Sequence, residues 1–548
     1  MEFVLALHSH LPYVLNHGRW PHGSDWLCEA ALDTYLPLLE QLRALDAEGV
    51  PAPVTIGFTP ILANQLSSPL FATELERFLE QRLTACSEAP SSLNITGDAA
   101  LLPLVDFWRR RIERLRDLFR STGGDLISAF RSLSERGKLE IIGSAATHGY
   151  LPLLRRDESI RLQLAVGRME HQRLFGVTPN GCWLPECAYR PRRGVRPGIE
   201  DHLEEAGFRY FFTDAHQAQA GRALGTYGDI PLGAERFDAE RHGGNVESDA
   251  PAVRSPYRAY RVSRSRPGVA ALVRDPRSSL QVWSRQQGYP GDEWYLEFHK
   301  IRWPGGLKLW RVTGSGVDLG GKHSYVPERA RQSAGDHARH FADLLKDLGS
   351  SGAALVVAPF DTELFGHWWF EGVDFLADVY RELRHRPSVR PVSAGTHLAD
   401  HPPKMGLRLA EGSWGVNGDH SMWMNDQTRW TWDRLWPLEN AFWDTARVAV
   451  GNPAARPVLA QAARELLLAQ ASDWQFIIST GAVTDYAERR FVLHCEDTGR
   501  LLEALRRGGG ALEGGVHLAD ELWKRDSVFP DVLEAISIAL ATPAHALG

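Results

Sequence analysis

At 548 residues, with charged residues at 24% and a formal net charge of -7, the chain is long enough for a catalytic-size domain plus an accessory one. It carries no basic stripe of the kind that binds nucleic acid. Five cysteines (Cys28, Cys86, Cys182, Cys187 and Cys495), odd in number and without CxxC pairing, argue against a disulfide framework or zinc knuckle and for reduced thiols in a cytoplasm.

In chain order, the first stretch, MEFVLALHSHLPY, is too short in apolar residues for a signal peptide or membrane span and predicts a buried strand. Further short apolar runs follow, each ending in a polar motif: VTIGF before TP, LEIIG before SAATHG, GCWLP before ECAYRP, YFFT before DAH, AALV before RDP, and AALVVAP before FDTE. Continuous rather than alternating apolar runs are the mark of buried parallel strands. Helical periodicity fills several of the gaps, as in Leu101 to Leu133 and Ile160 to Phe175. Strand-helix alternation with chemistry at the strand ends predicts an α/β fold of the (β/α) barrel type, with its site at the C-terminal rim. A doubly wound sheet is the rival, but no glycine-rich phosphate loop follows the first strand.

Three segments depart from the alternation. His216 to Tyr257, rich in Gly, Pro and charge, predicts a long surface loop. QQGYPGDEWYLEFHKIRWPGG is irregular and crowded with aromatics. From about Trp430 onward the pattern turns helical, most clearly in LAQAARELLLAQASDWQFII.

The motifs at the run ends carry the chemistry. HSH places His8 and His10 on one face of an extended segment, and with His148 of THG they can form a rim cluster. That cluster suits either a metal with an added carboxylate or a ring of hydrogen-bonding groups for sugar hydroxyls. WLPE sets Glu186 at a strand end, with Trp183 three residues before it. APFDTELFGHWWFEG sets Asp361 at another, with Glu363 two residues on and on the same face; Glu371 reads as a solvated or structural acid. Two carboxyl groups on different strands, both beside tryptophans, are what glycosidic cleavage requires. Eighteen tryptophans against five methionines exceed ordinary packing needs, and Trp283, Trp414, Trp423 and Trp474 are candidate platforms for flat sugar faces.

HSHLPY, GSAATHGYLPLL, WLPECAYRP, APFDTELFGHWWFEG and EGSWGVNGDHSMWMND together resemble the five successive sequence regions of glycoside hydrolase family 57, in the family's order. RDPRSSLQVWSRQQGYPGD and ASDWQFIISTG are similar to its α-1,4-glucan branching enzymes. The resemblance implies an incomplete, TIM-like barrel of about seven strands with an inserted subdomain and a helical C-terminal domain. The boundaries expected are barrel over 1–186 and 257–415, inserted subdomain and loop over 187–256, and helical domain over 416–548. It implies a retaining mechanism with Glu186 as nucleophile and Asp361 as general acid/base, the carboxyls about 5 to 5.5 Å apart.

Substrate contacts are expected from His8, His10, His148, Trp183, Trp283, His367, Trp368, Trp414, Trp423, Asp473 and Trp474. No metal or organic cofactor, no nucleic acid and no membrane partner is implied, only an α-glucan such as amylose or glycogen. Family branching enzymes carry a tyrosine near the tip of a loop after the nucleophile region; here the corresponding insertion, GAERFDAERHGGNVESDAPAVRS, contains none. The acceptor decides between branching enzyme, amylase and 4-α-glucanotransferase. A metal-dependent deacetylase, which would use the histidines and an aspartate as ligands, is the reading from another class.

Overall fold

The computed structural model describes residues 1–221, 223–225, 254–263, 268–283, 288–314 and 316–541. Each predicted apolar run is a strand. In chain order these are β1 (Glu2–Ser9), β2 (Val54–Phe58), β3 (Leu139–Ser144), β4 (Gly181–Trp183) and β5 (Tyr210–Thr213), then β6 (Tyr260–Arg261), β7 (Ala270–Val273), β8 (Leu355–Asp361) and β9 (Arg390–Pro391). The sheet order is β6-β7-β5-β4-β3-β2-β1-β8, with β9 beside β1. From β7 to β8 every pairing is parallel, and only β6 runs antiparallel. The two ends of this seven-stranded path approach each other: Asp275 N, just past β7, donates to Val357 O of β8 at 2.8 Å.

Period-two alternation fills the curled sheet's interior. Val4 and Ala6 of β1, Ile142 of β3, Phe212 of β5, Leu272 of β7 and Leu355 and Val357 of β8 form one buried cluster, joined by Trp183 and Trp414. Continuing the same alternation by one step on β1 gives His8, and by two steps on β8 gives Asp361, so the residues that cap the lumen are set by those that fill it. The β1–β8 register pairs the two directly, His8 with Asp361.

The crossovers are helical. Leu102–Ser121 buries Leu104, Val105, Trp108, Ile112, Leu115 and Phe119, the spacing of a one-faced helix. Beyond the barrel, helices run over Arg429–Ala449, Arg456–Ala469, Asp473–Thr480, Thr484–Arg507, Gly509–Arg525 and Val532–Leu540. Arg456–Ala469 is buried on every side from Val458 onward, as the central helix of a bundle must be.

Two expectations are corrected. The segment 187–256 is not a single insertion, because β5 lies within it and pairs with β4 and β7; the long insertions instead follow β2 and β7. His216 to Tyr257 is not surface loop throughout, since Gln217 and Ala218 are fully buried: the Gln217 side chain takes the Thr213 hydroxyl and the Asp214 amide as donors and donates to Cys187 O. Residues 233–253 of the tyrosine-free insertion, and Tyr227 before it, lie outside the described residues.

Candidate active site

A cleft of about 1170 Å³ opens at the C-terminal ends of β1, β4 and β8. Its floor is made by unusual backbone. Among the described residues seven non-glycines have positive φ, and His148 (φ 57°), Glu186 (φ 60°) and Cys187 (φ 48°) are three of them. Left-handed backbone costs a non-glycine residue about 1–3 kcal/mol and collects at functional sites. At Glu186 it turns the chain sharply after β4. Trp414 then holds the turn twice, its N donating to Glu186 O at 3.0 Å and its indole Nε1 to Glu186 Oε2 at 2.8 Å. Burial, reinforced by the negative charge of Asp361, pushes the Glu186 carboxyl up to about 8; the Trp414 N–H pulls the other way by favouring the anion.

The three histidines close around this acid. His8 and His148 share a hydrogen bond between their Nε2 atoms at 2.9 Å, and His148 Nδ1 meets the Ser472 hydroxyl at 2.9 Å and lies 3.7 Å from Glu186 Oε1. Burial lowers the pKa of both rings, so they are neutral, as a ring-to-ring hydrogen bond with one donor and one acceptor requires. His8 also stacks on Trp183 at a centroid distance of 4.6 Å with the rings parallel to 2°. His10 is held between Thr59 Oγ1 at 2.9 Å and the Asp473 carboxylate at 2.9 Å. Asp473 opens the helix Asp473–Thr480, so the helical domain supplies part of the site.

The Asp361 side is shaped by a π-helical turn, Ala31–Tyr35, a conformation often found at functional sites. Two residues of that turn reach the segment after β8, and a third reaches the stretch between β7 and β8. Tyr35 Oη donates to Glu363 Oε1 at 2.5 Å, Thr34 Oγ1 accepts from His367 N at 3.0 Å, and Asp33 holds the buried Lys308 ammonium at 2.9 Å. Gly366 sits against the same turn at φ 109°, where a Cβ would fall on the Asp33 carbonyl oxygen. Glu371 is buried rather than solvated and accepts from Tyr325 Oη and Leu296 N, which fastens the aromatic-rich stretch to the barrel.

The structure brings together His8, His10, His148, Glu186, Trp283, Asp361, His367, Trp368 and Asp473 on the cleft wall. It does not place Trp423 or Trp474 there. Both rings are fully buried, Trp423 stacked on Tyr150 at 4.5 Å and Trp474 donating to Leu468 O at 2.8 Å, so neither offers a face to a sugar. Trp183 and Trp414 lie beneath the floor and act on the site through His8 and Glu186.

The exposed platforms are others. Among the described residues the tryptophans with large exposed surface are Trp20, Trp303, Trp368 and Trp523, and the first three line this one cleft. Trp20 and Trp303 face each other at 5.8 Å. Neither was among the residues expected from sequence, although the tripeptide RWP occurs at each, Arg19–Pro21 and Arg302–Pro304, a repeat that could have found them. Tyr35 and Ser472 carried no such signal.

Comparison with known proteins fits this geometry. The family model for glycosyl hydrolase family 57 matches residues 4–410, and that for the C-terminal region of 1,4-alpha-glucan branching enzymes matches residues 439–536. A 1,4-alpha-glucan branching enzyme of Thermococcus kodakarensis is 39% identical over 97% of this chain and 77% of its own length. Its crystal structure, in complex with glucose, superposes with a TM-score of 0.88, covering 98% of this chain and 96% of that one at 38% identity. A probable 1,4-alpha-glucan branching enzyme of Mycobacterium tuberculosis is 30% identical over 92% of each chain. The alpha-amylase AmyC of Thermotoga maritima gives a TM-score of 0.79 at 28% identity, covering 98% of this chain and 99% of that one.

Proposed function

The chain belongs to glycosyl hydrolase family 57, and from that premise we propose that it is a 1,4-alpha-glucan branching enzyme in which Glu186 is the nucleophile and Asp361 the general acid/base. The observation that carries this reading is the pair itself: two carboxyls at the ends of β4 and β8, the charge of Asp361 felt at Glu186, both lining one cleft of about 1170 Å³. Double displacement requires one proton on the pair, carried by the acid/base while the nucleophile is the anion. The working form has that proton on Asp361, because Trp414 donates to Glu186 and favours its anion.

With an α-1,4-glucan in the cleft, Glu186 attacks the anomeric carbon while Asp361 gives its proton to the departing glycosidic oxygen. The result is a covalent glycosyl-enzyme and an Asp361 carboxylate. That carboxylate next takes the proton from an acceptor hydroxyl as it displaces Glu186. Transfer to a 6-hydroxyl makes an α-1,6 branch; transfer to water makes a shorter chain. The neutral His8 and His148 add no charge beside the developing oxocarbenium ion, and of the three rings only His8 keeps a nitrogen, Nδ1, without a protein partner for a sugar hydroxyl. Five buried, unpaired thiols support a reducing compartment such as the cytoplasm.

The test is incubation of the pure protein with amylose and chelator, then debranching with an isoamylase. A large rise in reducing ends on debranching means new α-1,6 linkages. Reducing ends released beforehand with no further rise mean hydrolysis, the activity named for AmyC, with which this chain shares its fold. Asp361→Asn is expected to bind glucan and lose roughly 10²- to 10⁴-fold in kcat, measured with the same assay under saturating amylose.

A further inference from the structure

The site holds a third carboxyl that the double displacement does not use. Glu363 is buried to 7% exposure and lines the catalytic cleft. Two donors converge on one of its oxygens: Oε1 accepts from Tyr35 Oη at 2.5 Å and from the backbone N–H of His10 at 3.1 Å. Tyr35 is fully buried on the π-helical turn, and His10 is fixed by Thr59 and Asp473, so both donors are built in rather than incidental.

The groups that face Glu363 are few. They are Tyr35 from the π turn, the His10 amide after β1, its own backbone amide, and the Asp361 carboxyl on β8, whose negative charge opposes ionisation of its neighbour. Among the described residues no lysine, arginine or histidine side chain pairs with it. An unpaired carboxylate buried beside a second acid is costly, and the inexpensive state is the protonated one. With Oε1 committed to two donors, the acid proton belongs on Oε2, which then becomes a hydrogen-bond donor.

We propose that Glu363 works as a neutral carboxylic acid, anchored through Oε1 by Tyr35 and His10 and donating through Oε2 to a hydroxyl of the glucose unit beside Asp361. The inference rests on the reading of Glu186 and Asp361 as the catalytic pair and adds to it a substrate-binding residue of defined protonation state. Burial pushes this carboxyl up to about 8, so the donor is present at neutral pH and lost as the pH rises through that value. Above it, two protons are being removed from the working enzyme, one from the Glu186–Asp361 pair and one from Glu363.

The test compares Glu363→Gln, Glu363→Met and wild type in kcat and kcat/KM on amylose from pH 5 to 10, with thermal melts to check folding. Glutamine copies the neutral acid, accepting through its oxygen and donating through its amide. Glu363→Gln is therefore expected within about threefold of wild type, and Glu363→Met to lose roughly 10- to 100-fold while still folding. The alkaline fall of kcat/KM, steeper than one proton in wild type, is expected to become a one-proton fall in Glu363→Gln, a change that a purely structural role would not produce.

A Glu363→Gln enzyme as impaired as Asp361→Asn would overturn the proposal, because the working form would then be the anion. So would an unchanged alkaline slope, or full activity in a folded Glu363→Met. If Glu363→Met does not fold, the glutamine variant and its slope decide alone. Glu186→Gln and Asp361→Asn run alongside separate the two readings: full turnover in either overturns the catalytic pair itself, whatever Glu363 shows.

Discussion

Glu186 and Trp414 are 228 residues apart in sequence, and their hydrogen bond explains how a fully enclosed tryptophan can still govern the chemistry. The indole N–H, together with the Ser472 side chain, favours the anion of a carboxyl that burial and Asp361 both drive toward protonation. Removing it in Trp414→Phe leaves the lumen filled and takes away about 1.5–3 kcal/mol of preference for the anion. A donor to the charged form lowers a pKa, so its loss raises the affinity of the catalytic pair for protons. The pH profile of kcat/KM is expected to move toward higher pH, with kcat at pH 7 down roughly 10- to 100-fold, and pH-rate measurements on folded Trp414→Phe check both. The sequence indicated that tryptophans mattered here but not how. Trp474 and Asp473 are neighbours, yet only Asp473 reaches the cleft, because the first turn of its helix points the carboxylate at His10 and carries the indole into the bundle. Adjacency to polar residues does not reveal which ring keeps a free face.

At the scale of elements, the seven strands were legible because buried parallel strands are continuous apolar runs, and the chemistry was legible because each run ends in a polar motif at the rim. What pattern could not reveal is the π-helical turn. ALDTY lies inside a stretch whose spacing is ordinary for a helix, and the wider turn exists because Thr34 and Tyr35 find partners on the segment after β8 and Asp33 finds Lys308 on the stretch between β7 and β8. The left-handed backbone at Glu186 and His148 was equally invisible, since neither residue type announces it. Gly366 tests this docking. Alanine there meets both a left-handed φ and the Asp33 carbonyl, so Gly366→Ala must shift the turn, at a cost of about 1–3 kcal/mol. The expected outcome is a lower denaturant midpoint together with reduced kcat, because the same shift moves Tyr35 and Glu363. A variant with the stability loss and unchanged kcat would mean that the turn supports the fold alone.

Across the whole molecule, the helical region is more than an appendage: besides Asp473 it grips the loop that leaves β1. Asp526, fully buried, takes His17 Nε2 at 2.6 Å and Arg525 Nε at 2.6 Å. Arg490 donates to Tyr13 O at 2.8 Å, and Tyr13 Oη to Arg525 O at 3.2 Å. The gripped loop runs on to Trp20 and Trp26 on the cleft wall, so barrel and bundle share one site and one charge network. A carboxylate, two arginines and a histidine scattered over the sequence gave no sign of this, because such networks have no spacing rule. Although burial works against it, Asp526 is held well below the usual carboxylate range by the His17 hydrogen bond and the surrounding positive charge. A depressed folded pKa contributes stability in full above the unfolded value near 3.9 and loses it as the pH falls toward the folded value. Asp526→Asn is therefore expected to cost about 3 kcal/mol or more at pH 7, and the gap from wild type is expected to shrink as the pH drops below about 4. Denaturant unfolding of the two proteins at pH 7 and pH 3 measures it; a gap that stays constant would mean that the Asp526 charge is not what binds the two halves.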